Sequence, residues 1–425
     1  MSATTRSAEL LPAPGIPLLY FALAHVSLAA ALAILIVQPG MPAGFFHHPR
    51  VIAVLHLVTL GWISSSILGA FYIVAPLALG MPFRPDWKDR VWFGAYAVGT
   101  SGVVACFWIG QYRGMAWSAL FVAGALSHVA VRAWAGLPRS PAPWPVKVHI
   151  FLAFANVLGA AMFGIVIGLN RVFGWFAWAP MTTAFAHGHL AAVGWAVMMV
   201  IGLSYRLVPM ILPAAMPTGR SLVWSAVLLQ AGVMTLAGAL VSHSTWSWTG
   251  ALFIVAGLMA FVARVRTIVG QKRPAPAALP RPDWATWQTH VAFGWLMVAV
   301  ASGLLLVLPL PLAWMIPLGW IYGVAGLIGF LAQVVVGIQG RLLPMHAWYR
   351  QLQAAGGKPP AHSVHALASP TLAKWTLFAW AGGVPVLTVG LAASVHTAVA
   401  AGSALLLVGV ALNAAQALNV LSSSA

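Results

Sequence analysis

The sequence predicts an all-α polytopic membrane protein, on the evidence of its composition, its long apolar runs and the placement of its basic residues. Of the 425 residues, 61% are hydrophobic and 6% are charged, whereas a soluble domain has roughly 25% charged residues. The net charge is +17. Because the Lys and Arg residues are dispersed over short connections and form no basic face, we exclude nucleic acid as a partner and expect a lipid bilayer.

Twelve apolar runs are long enough to cross a bilayer, since a spanning helix takes about 20 apolar residues. The runs start near residues 16, 51, 91, 115, 146, 182, 221, 248, 286, 314, 371 and 396. The first run follows Arg6 but lacks a small-x-small cleavage site, so we interpret it as a helix and not as a signal peptide. The longest connections, at residues 271–285 and 346–370, are predicted to be linkers, and we expect His346, His362 and His365 to be solvated there.

The basic residues also predict how the chain is oriented. If the N-terminus is cytoplasmic, 18 of the 21 Lys and Arg lie on the inner side, and only Arg50, Arg113 and Arg171 lie on the outer side. This bias follows the positive-inside rule. It predicts a multi-pass protein of a bacterial-type inner membrane with both termini in the cytoplasm. None of the four acidic residues falls inside an apolar run, so we expect no carboxylate within the membrane.

An internal repeat divides the predicted helices into three groups of four. Helix 2 contains LHLVTLGW (55–62) and helix 6 contains AHGHLAAVGW (186–195), and their matching His, Gly-Trp, Gly, Tyr and Pro positions are all offset by 133 residues. Helix 10 repeats the Gly and Pro positions but has Val324 at the histidine position. We therefore predict one integral membrane domain, residues 1–425, with repeats at about 16–135, 146–270 and 286–420 that form three four-helix arcs.

Three histidines are the candidate site residues. His56 and His189 occupy the same repeat position at equal predicted depth, where a polar side chain is costly and tends to be functional. Neutral imidazole is a good ligand for haem iron, so the two helices could hold a haem between them. His187 lies two residues before His189 and should point about 200° away, towards another neighbour. The single cysteine, Cys106, excludes a CxxCH motif and so a covalently attached haem. For the other membrane histidines, such as His25, His128, His149 and His290, hydrogen-bonded packing is the favoured interpretation.

Twelve helices in three arcs, a helix 2 histidine and an H-x-H-L-x-x-x-G sequence resemble subunit I of the haem-copper oxidase superfamily, especially its cbb3-type and nitric-oxide-reductase branches. The resemblance covers nearly the whole chain in topology but only helices 2 and 6 in motif. It implies that His56 and His189 bind the iron of a b-type haem, and that His187 binds a second haem or copper. It also implies O2 or NO as a substrate, cytochrome c or a quinol as electron donor, and a partner subunit.

Departures from that family narrow the expected function. The H-x-H pair lies on helix 6, helix 10 has Val324 where the family has a ligand, and helix 7 has only His243, near its outer end. A complete binuclear centre cannot be assembled from matching positions. We therefore expect a divergent relative that binds one or two b-type haems and takes part in electron transfer or in O2 or NO chemistry, with its status as an oxidoreductase left open.

Two alternatives remain from the sequence. One is a protein similar to the NnrS family of haem and copper proteins associated with nitric oxide stress, although its W-H-A-H-E-M signature is missing here. The other is a haem-free membrane transporter that uses histidine. Its weakness is that a repeat of four helices gives successive copies the same orientation, and no membrane carboxylate is expected to couple H+ or Na+.

Overall fold

A computed structural model describes residues 15–43, 45–274, 279 and 281–422, and it contains twelve helices long and apolar enough to span a membrane. Each begins within four residues of its predicted start, which confirms the fold class and the number of spans. The helices are α1 Ile16–Val37, α2 Pro49–Leu77, α3 Trp87–Trp108, α4 Tyr112–Arg139, α5 Trp144–Phe173, α6 Pro180–Ile211, α7 Arg220–Ser242, α8 Ser247–Gly270, α9 Trp284–Leu306, α10 Leu312–Ala354, α11 Pro370–Ala392 and α12 His396–Ser422.

Three of these helices change to π-helical geometry part-way along. The π-segments are Leu57–Ser64 in α2, Leu190–Val197 in α6 and Ala325–Ala332 in α10, and each has eight residues. They begin immediately after His56, His189 and Val324, the three equivalent positions of the sequence repeat. Because π-helix is rare and occurs mostly as single turns near functional sites, its threefold recurrence at one repeat position supports the repeat. The arrangement in three arcs stays a prediction.

Glycines in and after the π-segments allow close contact with the preceding helix. A Cβ atom at Gly61 would meet Ser27 of α1, one at Gly194 would meet Asn156 of α5, and one at Gly329 would meet Trp295 of α9, all within 3 Å. Each of these glycines is followed eight residues later by a second that also contacts the preceding helix, at Gly69, Gly202 and Gly337. Small residues are what permit such backbone approach between membrane helices.

The described residues form two compact units, each with its own interior. The first unit comprises residues 74–274, from the end of α2 to α8; here α3 pairs with α4, α4 packs on α5, α5 packs on α6, and α7 pairs with α8. The second unit comprises residues 15–73 and 281–422; here α1 packs on the π-segment of α2 and on α12, α9 packs on α10, and α11 pairs with α12.

Asp89 lies inside a helix, although the sequence places it outside the apolar runs. Helix α3 begins four residues earlier than predicted, which places Asp89 in its first turn with an exposed fraction of 1%. Its carboxylate forms an ion pair with Arg132 of α4 and accepts a hydrogen bond from Nε2 of His128 at 3.1 Å. His128 is therefore a hydrogen-bonded packing residue, as predicted.

The predicted solvation of the histidines after helix 10 is wrong for His346. Helix α10 continues through Pro344 to Ala354, and the side chain of His346 within it is fully buried. His362 does lie in an exposed connection, where its Nε2 is 3.0 Å from Oε1 of Gln351. Arg341 of the same helix pairs with Asp283, which caps the N-terminus of α9.

Candidate functional site

His56 is the last residue of the first α-helical part of α2, directly before the π-segment. Its Nδ1 lies 2.8 Å from the carbonyl oxygen of Ile52. A carbonyl oxygen only accepts, so Nδ1 carries the proton and the lone pair of the neutral ring is at Nε2. A backbone carbonyl that fixes the tautomer in this way is the usual support of a metal-ligating histidine.

His189 has the same arrangement in the other unit. It ends the first α-helical part of α6, directly before the second π-segment, and its Nδ1 donates to the carbonyl oxygen of Phe185 at 2.7 Å. The ring lone pair is again at Nε2. His56 lies in the second unit and His189 in the first. The predicted equivalence of the two positions thus extends to backbone geometry and tautomer.

His187 contacts helix α5. Its Nδ1 donates to the carbonyl oxygen of Ala160 in α5 at 3.0 Å, and a Cβ atom at Gly164 would lie 2.9 Å from the Cε1 atom of its ring. A glycine at residue 164 therefore makes room for the imidazole against α5. His187 thus bonds to α5, whereas the bond of His189 lies within its own helix; that the two rings address separate pockets stays a prediction.

His25 and His149 use the same tautomer, and their second nitrogen is bonded inside the protein. Nε2 of His25 accepts from the side-chain amide of Asn413 at 3.1 Å, and Nε2 of His149 is 2.8 Å from Oγ of Ser225. Their Nδ1 atoms donate to carbonyl oxygens four residues earlier. Both therefore fit the packing role predicted for them.

Side chains from other elements satisfy carbonyl groups of the π-segments. The amide of Asn156 donates to the carbonyl oxygen of Gly194 at 2.9 Å, and Nε1 of Trp62 donates to that of Ala332 at 3.3 Å. Such bonds matter because an unsatisfied backbone group in a membrane costs several kcal/mol. Sequence reasoning did not foresee the π-segments; the fixed offset of the Gly positions was the only available signal.

No group of three His, Cys, Asp or Glu side chains that could hold a metal ion occurs in the described parts of the chain. In the third copy, Val324 occupies the position of His56 and His189, and its side chain is buried. The candidate donors are therefore the two equivalent histidines, each in its own unit, with His187 placed separately against α5.

No protein-family model matches this chain, and no curated protein matches it.

Proposed function

We propose that this chain is a membrane haem protein that binds b-type haem through His56 and His189. Its function is electron transfer or the binding and reduction of a diatomic gas, O2 or NO, without a complete haem-copper binuclear centre. A cytochrome c or a quinol is the class of electron donor that such a function requires.

The observation that carries the proposal is the shared local structure of the two histidines. Both stand at one repeat position, both precede an eight-residue π-segment, and both donate Nδ1–H to the carbonyl four residues earlier. A neutral imidazole that keeps its proton on Nδ1 and offers the lone pair of Nε2 is the form that ligates haem iron. The chemistry of this donor set therefore fits a haem.

When bound, b-type haem would supply a one-electron iron couple and an iron atom of the kind that binds diatomic gases. The contribution of this chain is to hold both imidazoles neutral and in a fixed rotamer. The carbonyl groups of Ile52 and Phe185 do this by retaining the Nδ1 proton, which also raises the basicity of each ligand.

The proposal stops short of an energy-conserving oxidase. Val324 in α10 cannot ligate a metal, and α7 has no His-His pair. His187 would supply a single donor to a copper ion, and its Nδ1 atom already donates to the carbonyl oxygen of Ala160. These residues therefore support only the haem-binding part of the family resemblance.

Single variants test the assignment. We expect His56→Ala and His189→Ala each to abolish the reduced b-type spectrum or convert it to a high-spin one. His290→Ala is the matched control, since His290 lies in α9 with its ring edge-on to Trp287, and it should keep the native spectrum. Unchanged spectra in both ligand variants would remove His56 and His189 from consideration.

A further inference from the structure

Helix α10 carries a buried glutamine between its two contact glycines. Gly329, Gln333 and Gly337 follow one another at intervals of four, and the two glycines contact Trp295 and Thr289 of α9. Residues four apart lie on one helix face, so Gln333 is on the face towards α9. Its side chain is fully buried, and neither atom of its amide has a hydrogen-bond partner among the described residues.

A second buried glutamine lies on the opposing helix. Gln288 of α9 is 3% exposed, and its amide nitrogen and oxygen also have no hydrogen-bond partner in the described structure. The glycine contacts set the register of the two helices and place Gln333 level with Ala292. Ala292 is one helical turn, or about 6 Å of rise, from Gln288. The two amides therefore lie within the same short stretch of the α9–α10 contact.

The other two copies have no such group at the position of Gln333. Ser65 occupies it in α2 and bonds internally to the carbonyl oxygen of Leu60 at 3.0 Å, while Met198 occupies it in α6. Elsewhere on α10, the buried amide of Gln339 is satisfied by Asn413 at 2.7 Å. Unsatisfied amides are thus a local feature of the α9–α10 contact in the second unit.

We propose that Gln288 and Gln333 form a binding site for water inside the membrane-spanning part of the second unit. Burying an amide without a hydrogen bond costs about 1–3 kcal/mol in proteins. The two side chains offer both donors and acceptors and carry no charge, which matches water, a molecule that needs two to four polar partners when buried. This proposal goes beyond haem binding and does not depend on it.

Radiolytic hydroxyl labelling in H2 18O tests the site on the full-length protein in detergent or nanodiscs. Trp62, whose Nε1 bonds to the residue before Gln333, is fully buried, and its repeat equivalent Trp195 is 1% exposed. We expect several-fold more oxidation at Trp62 than at Trp195, and a return to the Trp195 level in the Gln288→Met/Gln333→Met double variant. Equal oxidation of the two tryptophans in the native protein would overturn the proposal.

Thermal stability gives an independent readout. If water satisfies the amide, Gln333→Met should leave the apparent Tm unchanged or lower it; a raised Tm would mean that the amide is simply unsatisfied and would overturn the proposal. Met198→Gln places the same side chain at the equivalent position of the first unit and is the matched control. Its Tm should fall, because nothing there is arranged to satisfy an added amide.

Discussion

The buried carboxylate of Asp89 joins the N-terminal end of α3 to the C-terminal half of α4. Besides its ion pair with Arg132, it accepts the backbone N–H of Asp86 at 2.7 Å and the His128 bond. Arg132 also donates to the carbonyl oxygen of Arg84 at 2.6 Å. We predict that Asp89→Asn, which keeps the shape and removes the charge, destabilises the first unit.

The size of this effect follows from the exposure of the two partners. Removing one member of a fully buried ion pair costs about 3–5 kcal/mol. The Asp89 side chain is 0% exposed but that of Arg132 is 25% exposed, so water screens part of the orphaned positive charge. We therefore expect a loss of about 2 kcal/mol, equivalent to an apparent Tm lowered by roughly 5 °C.

The assay is a thermal unfolding scan of purified protein in one detergent, with Asp86→Asn as the matched control. Asp86 accepts a hydrogen bond from the backbone N–H of Lys88 at the exposed helix start, and Asn caps a helix as well as Asp does. The control removes the same charge and should unfold within about 1 °C of the native protein. If Asp89→Asn is equally stable, the ion pair does not hold α3 to α4 and the reasoning fails.

Two further predictions concern packing and pH. Gly202→Ala should lower the apparent Tm, because its Cβ atom would lie 2.5 Å from Cβ of His149. Gly188→Ala should leave the Tm nearly unchanged, since a Cβ atom there would have no heavy atom of the described residues within 4 Å, its own helix backbone and chain neighbours aside. Comparable Tm values for both variants would contradict the glycine contacts. Burial and the nearby Arg341 guanidinium lower the pKa of His365. The folded protein therefore disfavours protonation of His365. The free energy of unfolding should be highest above the ordinary histidine pKa and should decline as the pH falls below that pKa. His365→Gln should flatten that decline, and an unaltered pH profile would exclude His365 as its source.

Hydropathy and charge placement were enough to predict the twelve spans, because the energetic cost of polar groups in lipid dominates where a helix begins. They did not predict that Asp89 is buried, since a carboxylate next to basic residues resembles a loop until its ion pair with Arg132 is seen. They failed also for His346, because Arg341 and Pro344 resemble a helix end, yet α10 continues through both.

The candidate site was predicted in part. The repeat identified His56 and His189 as equivalent, and the separate surroundings that helical spacing predicts for His187 and His189 stay a prediction. The π-segments could not be predicted, because the fixed offset of the Gly positions indicates a repeat but does not distinguish a π-helix from an α-helix in an apolar sequence. The unsatisfied amides of Gln288 and Gln333 likewise depend on helix register, which the sequence does not specify. The joint ligation of one haem by His56 and His189 stays a prediction.

The most direct test of haem binding is an optical absorption spectrum of the detergent-purified protein, oxidised and dithionite-reduced, together with iron and copper analysis. The account predicts a Soret band with sharp reduced α and β bands and iron bound to the protein. Added CO or NO would then report whether an open iron position exists. Protein purified from a haem-replete host with neither a Soret band nor iron would contradict the account.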